Sequence, residues 1–173
     1  LFMNTILGGT LISFIRTIIS PKAAKSPATH DLALHIPTAL ALAVNFGVAP
    51  LLFLQVLYGQ FVYVSSTLMA FYWLAVIDLV IIAYYSLYAY DLKFEKLTTW
   101  RTPLISIAAF CLLCVTFIFV NNMTLMLSPE RWAAYFDHPD GTLLNLDEPM
   151  LVPRYLHFIL AAFAVAGMFQ ALR

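Results

Sequence analysis

Apolar residues fall into five long blocks, each too continuous for a half-buried strand and too long for an ordinary core helix. They cover roughly residues 1–19, 32–58, 67–88, 103–126 and 153–172. A bilayer's hydrocarbon core is about 30 Å thick, and about 20 helical residues cross it. Strands of a membrane barrel would instead alternate apolar and polar positions over about ten residues. The pattern therefore predicts an all-α fold: a polytopic membrane helix bundle of about five transmembrane helices, in one domain.

Polar residues and prolines punctuate the blocks. Pro21-Lys22 and Ser26-Pro27 mark the first loop, and Thr29 or Asp31 is placed to cap the second helix. That helix contains Pro37, Asn45, Gly47 and Pro50, which predicts a kink near Gly47–Pro50. Gly59 to Ser66 reads as a short uncharged turn and Asp91 to Trp100 as a charged loop. Pro103 sits where a first helical turn tolerates it, and Ser128-Pro129 stops the fourth block. The polar stretch 128–152 carries Trp132, Tyr135 and Phe136 and reads as a short helix on the membrane surface. Gly8, Gly9 and Thr10 would let another helix approach the first block closely. This glycine-rich helix and the acidic loop are the expected contacts with other subunits.

Composition agrees. The chain is 62% hydrophobic and 10% charged, with a mean hydropathy of +0.88, whereas soluble domains carry about 25% charged residues. With zero net charge and no basic stripe, nucleic acid is excluded as a partner. The first block lacks the basic lead and small-residue cleavage site of a signal peptide, and so reads as a span. Cys111 and Cys114 share one face of an apolar run, where a thiol packs rather than reacts.

Charge gives an orientation. The first and third connections carry Arg16, Lys22, Lys25, Lys93, Lys96 and Arg101. The other two carry only Arg131 and Arg154, against Glu130, Asp137, Asp140, Asp147 and Glu148. Lysine and arginine mark the cytoplasmic side, so the N-terminus and loop 128–152 are expected outside. His157 then lies near the outer surface and His35 near the inner one, too far apart to hold one haem between them.

Four residues are candidates for chemistry. His157 lies about one turn inside the last block, with Arg154 nearly one turn before it. A neutral imidazole there can ligate haem iron, with Arg154 pairing a propionate, or it can simply hydrogen-bond at the interface. Asp78 is a carboxylate near the middle of a span. Such groups are costly in a bilayer, and they serve proton relays or bond to a neighbouring helix. Met126, with Met123, offers a thioether at the expected depth of His157, though methionine more often fills space. Asn45, Gln55, Asn121 and Asn122 either bind a quinone carbonyl or join helices. His30, His35 and His138 read as solvated polar residues. No Ser-His-Asp order, phosphate loop or zinc spacing is present.

The order of these features resembles the N-terminal half of cytochrome bd-type quinol oxidase subunit I. The similarity lies in Asn45-Phe46-Gly47-Val48, in the mid-span acid and the Tyr90-Asp91 ending of the third block, in Asn121-Asn122-Met123 through Ser128-Pro129, and in a histidine opening the fifth block. The resemblance implies that His157 ligates a low-spin haem b and that Asp78 stands for one of two family glutamates serving protons and haems. Ala70 falls where the other would be. It also implies a bacterial inner (cytoplasmic) membrane, and an electron-transfer subunit exchanging electrons with the quinone pool beside other subunits. The alternatives are a haem-less, quinone-binding membrane anchor, and a structural or transport subunit without redox chemistry. The charge bias generates the first prediction: a cysteine replacing Asp140 labels with a membrane-impermeant maleimide added outside intact cells. Labelling only after permeabilisation would invert the orientation.

Overall fold

Among the described residues the fold consists of six α-helices and one 3-10 helix, with no strand. The computed structural model describes residues 2–20, 26–92, 100–137 and 139–172. Lys22, Lys25, Lys93 and Lys96, which carry much of the orientation argument, lie outside the described residues, as does His138.

Helix α1 is Phe2–Ile19, α2 Pro27–Leu57, α3 Gly59–Leu68, α4 Ala70–Leu92, α5 Arg101–Met126 and α6 Leu151–Ala171. The 3-10 helix is Pro129–Phe136. Four helices (α2, α4, α5 and α6) are long and apolar enough to cross a membrane, and α1 is a shorter apolar helix. The chain is an all-α membrane helix bundle.

Local chemistry sets the boundaries. The Oγ of Ser26 accepts from the Thr29 backbone N–H at 3.3 Å, and Pro27 opens α2 behind it. The cap is thus Ser26, earlier than Thr29 or Asp31. Helix α2 then runs unbroken for 31 residues through Pro37 and Pro50, roughly 46 Å at 1.5 Å per residue. A one-residue break ends it at Tyr58. Its N–H still donates to Leu54, while its carbonyl already accepts from Phe61 and Val62. The expected turn at 59–66 is therefore helix α3. Met69 makes a second one-residue break, with φ −117 and ψ 33, before α4 begins. The chain reverses through two sharp corners and ten helical residues rather than a loop.

Helix α1 sits at the centre. It packs against α6, α2 and α5, while α4 packs chiefly on α5. A Cβ placed on Gly8 would lie 2.1 Å from the Ala162 carbonyl oxygen and 2.7 Å from the Ala166 side chain. The α1 and α6 backbones therefore touch, and only glycine fits. On the adjacent face, a Cβ on Gly9 would meet Ile36 at 3.2 Å and Leu32 at 3.4 Å on α2. The sequence assigns these glycines to contacts with other subunits; both are spent inside the chain. Lipid is as apolar as leucine, so close van der Waals packing of small residues, not hydrophobic exclusion, holds such helices together.

Two apolar clusters follow. The larger joins Ile6, Leu7 and Leu11 of α1 to Ile36 and Leu40, Ala83 and Leu87, Ile105 and Leu112, and Ala162. The smaller fills the space beyond the start of α1: Leu68, Met69, Ile118 and Leu125, with Trp73, Trp132, Leu143 and Leu144 packed around them. The two ends of the bundle therefore differ. One, the loop end, is covered by α3, the 3-10 helix and residues 139–150. The other, the arginine end, holds Arg16 and Arg101.

Gly8→Ala is expected to destabilise the purified protein by about 1–3 kcal/mol, the usual cost of overpacking. Gly47→Ala, where an added Cβ meets nothing within 4 Å, is expected to be neutral. Thermal unfolding in one detergent compares the two, and equal melting temperatures would remove the close contact from the fold.

Candidate functional site

The inward face of α6 is set by Tyr155, Ala162 and Ala166. The Tyr155 hydroxyl donates to the Leu113 carbonyl at 3.2 Å, and its ring meets Phe117 edge-on at 5.6 Å. With that face turned into the bundle, Arg154 and His157, three residues apart, both open outward and are exposed. The two candidates thus share one face. Met126 does not join them. It lies nine residues beyond Phe117, roughly 13 Å further along α5, so the expectation of a common depth is corrected. Neither groove described below is lined by His157, Arg154 or Met126. A haem on His157 would have one face of α6 beneath it, and the remainder of its surroundings would come from outside this chain.

Asp78 occupies the ninth position of the 23-residue α4, roughly 12 Å from its start. It is exposed on the outside of the bundle, in a stripe with Phe71, Leu74, Ile81 and Tyr85. It makes no hydrogen bond or ion pair with any described residue. Beside it a groove of about 330 Å³ separates α2 from α4, lined by Leu40, Ala41, Val44, Asn45, Val80, Ile81, Tyr84 and Tyr85. A second groove, of about 320 Å³, lies between α1, α2 and α6 and includes Asp31 and His35. There His35 Nδ1 is 2.7 Å from the Asp31 carbonyl and 3.5 Å from its carboxylate, an exposed helical pair of small energetic weight.

The intramembrane amides divide into two groups. Asn122 Oδ1 accepts from Ser65 Oγ, and its Nδ2 donates to Ser66 Oγ, both at 3.3 Å, which fastens α5 to α3. Asn121 Oδ1 accepts from the Asn145 backbone N–H at 3.1 Å, which fastens the acidic loop to α5. The loop is tied further by Leu143 N–H to the Leu68 carbonyl at 3.0 Å, and by Phe71 N–H to the Gly141 carbonyl at 3.1 Å. Gly141 takes φ +71 with Ala70 3.1 Å from where its Cβ would be, so this corner requires glycine. Trp132 Nε1–H closes the lid onto the Leu125 carbonyl at 3.0 Å. Asn121 and Asn122 therefore join elements. Asn45 and Gln55 stay exposed on α2.

Sequence reasoning missed two features. Asn145, 1% exposed, reads as one more polar loop residue until its backbone is seen docked on Asn121. Arg101 reads as an orientation charge, yet it is 4% exposed and lies near enough to Tyr90 for its charge to be felt there. Arg16 Nη2 donates to Gln170 Oε1 at 3.4 Å. Polar side chains thus link α1 to its neighbours at the arginine end. Cys111 is buried and Cys114 half-buried, and both are free thiols.

No family model, curated protein or solved structure matches the chain. The lid is open to test on its own. Asn121→Ala leaves a buried backbone N–H unpaired, at a cost of about 1–3 kcal/mol. Limited proteolysis within 139–150 is expected to speed up while the helices stay intact. Unchanged cleavage would deny Asn121 its role in holding the loop.

Proposed function

We propose that this chain is an integral-membrane subunit of an electron-transfer assembly of the cytochrome bd-like kind, working beside other chains rather than as a self-contained enzyme. One observation carries this: the polar groups suited to chemistry face outward. His157 and Arg154 share the exposed face of α6, and Asp78 stands on the outer face of α4. In the interior, Asn121 and Asn122 tie the loop and α3 to α5. A chain that enclosed its own cofactor or substrate would show the reverse.

In this proposal His157 would hold haem b through its imidazole, and Arg154, nearly one turn away, would neutralise a propionate. A neighbouring chain completes the site. Bound haem would supply one-electron transfer with the quinone pool; this chain's part is to ligate, orient and neutralise. The membrane is the bacterial inner membrane, with the loop end outside and the arginine end inside.

A haem-less, quinone-binding anchor is the second reading, favoured by the two exposed amides on α2, Asn45 and Gln55. Reduced-minus-oxidised visible spectra of the purified assembly separate the two. A b-type band in the wild type that is lost in His157→Ala supports the haem site. A band that survives moves the ligand to another residue or chain, and a wild type with no band leaves the quinone anchor.

A further inference from the structure

The α2–α4 face carries a problem that the rest of the molecule does not solve. Asp78 stands mid-span on the outer surface without a partner among the described residues. A carboxylate facing lipid at that depth costs about 2.5–3.5 kcal/mol on insertion scales. Around it the surface is wide and apolar. Phe46, Phe53 and Val56 on α2 are 62, 64 and 81% exposed, and Phe71, Leu74 and Ile77 on α4 exceed 60% or reach it.

The groove between the helices contains the complement to Asp78. Asn45 Nδ2 donates one proton to the Ala41 carbonyl at 2.8 Å, which leaves its second amide proton and its Oδ1 free. Helices α2 and α4 run antiparallel, and their groove is lined by residues 40–45 on one and 80–85 on the other. Asn45 therefore lies at the depth of Val80, within one turn of Asp78. An acceptor and a donor thus share one level of one exposed face.

We infer that two copies of this chain pair side by side across the α2–α4 face, Asp78 of each bonding Asn45 of the other. Copies inserted in one orientation bring equal depths together across a two-fold axis along the membrane normal. Such an interface is self-complementary: residue i meets j and j meets i. None of the chain's lysines or arginines lies within α2 or α4, so a second copy offers Asp78 an amide, not a cation. The pairing holds in either protonation state: ionised, Asp78 accepts from Nδ2; protonated, it also donates to Oδ1.

This goes beyond the haem reading and does not depend on it, because the readout is association rather than absorbance. Copies labelled separately with donor and acceptor dyes are mixed in liposomes, in a Cys111→Ala/Cys114→Ala background. The wild-type background is expected to show energy transfer that saturates with protein-to-lipid ratio. Asp78→Leu is expected to weaken association roughly five- to thirty-fold, with an unchanged melting temperature in detergent because the side chain is exposed. The exchange Asp78→Asn with Asn45→Asp keeps the same pair of groups and is expected to restore association. In a second readout, one copy carrying Asp78→Cys and one carrying Asn45→Cys are mixed and oxidised. A disulfide-linked dimer supports the inference. Monomeric behaviour of the parent chain, equal energy transfer in Asp78→Leu, or no cross-link between the mixed copies would each overturn it, and would leave the face to a different membrane protein.

Discussion

The contact between the α1 and α6 backbones at Gly8 and Ala162 governs the arrangement of the rest. In a bilayer no hydrophobic force drives helices together, so geometry that permits close packing must do it. Gly8 admits α6 on one face and Gly9 admits α2 on the next. A helix of 18 residues can thereby stand at the centre of longer ones. The space at the loop end is filled by Leu68, Met69, Ile118 and Leu125 with help from the loop.

That space is closed by polar ties as well as packing, which decides where chemistry can reside. Asn121 and Asn122 each satisfy groups that would otherwise sit unpaired in apolar surroundings. At the far end Arg101 is buried. The titratable and ligating groups left over, Asp78, Arg154 and His157, point away from the interior.

The outward side chains also explain why the candidate site was only partly legible beforehand. His157 and Arg154 are three apart, and helical periodicity alone puts them on one face. Which face that is depends on Tyr155 finding the Leu113 carbonyl, a partner 42 residues away. Met126 was matched to His157 because both sit near the ends of their blocks. The helices are offset along the membrane normal, and no count of residues reveals an offset. Asn121 and Asn122 looked like ligand-binding amides because sequence shows an amide and not its partner.

What the sequence determined by itself is the solvent and the secondary structure. Runs of about 20 apolar residues have no stable state but helices across a bilayer, since each backbone group must be satisfied within its own segment. Gly59 marks the corner at Tyr58 to within a residue, whereas no glycine or proline marks Met69; the chain bends at both as α3 closes over the bundle. The glycines of α1 announced close contact but not with what. Only the tertiary structure decided that they meet α2 and α6, and that Asp78 and Asn45 share a level on the outside. Faces and depths are set by neighbouring helices, and a one-dimensional pattern carries periodicity but not position relative to them.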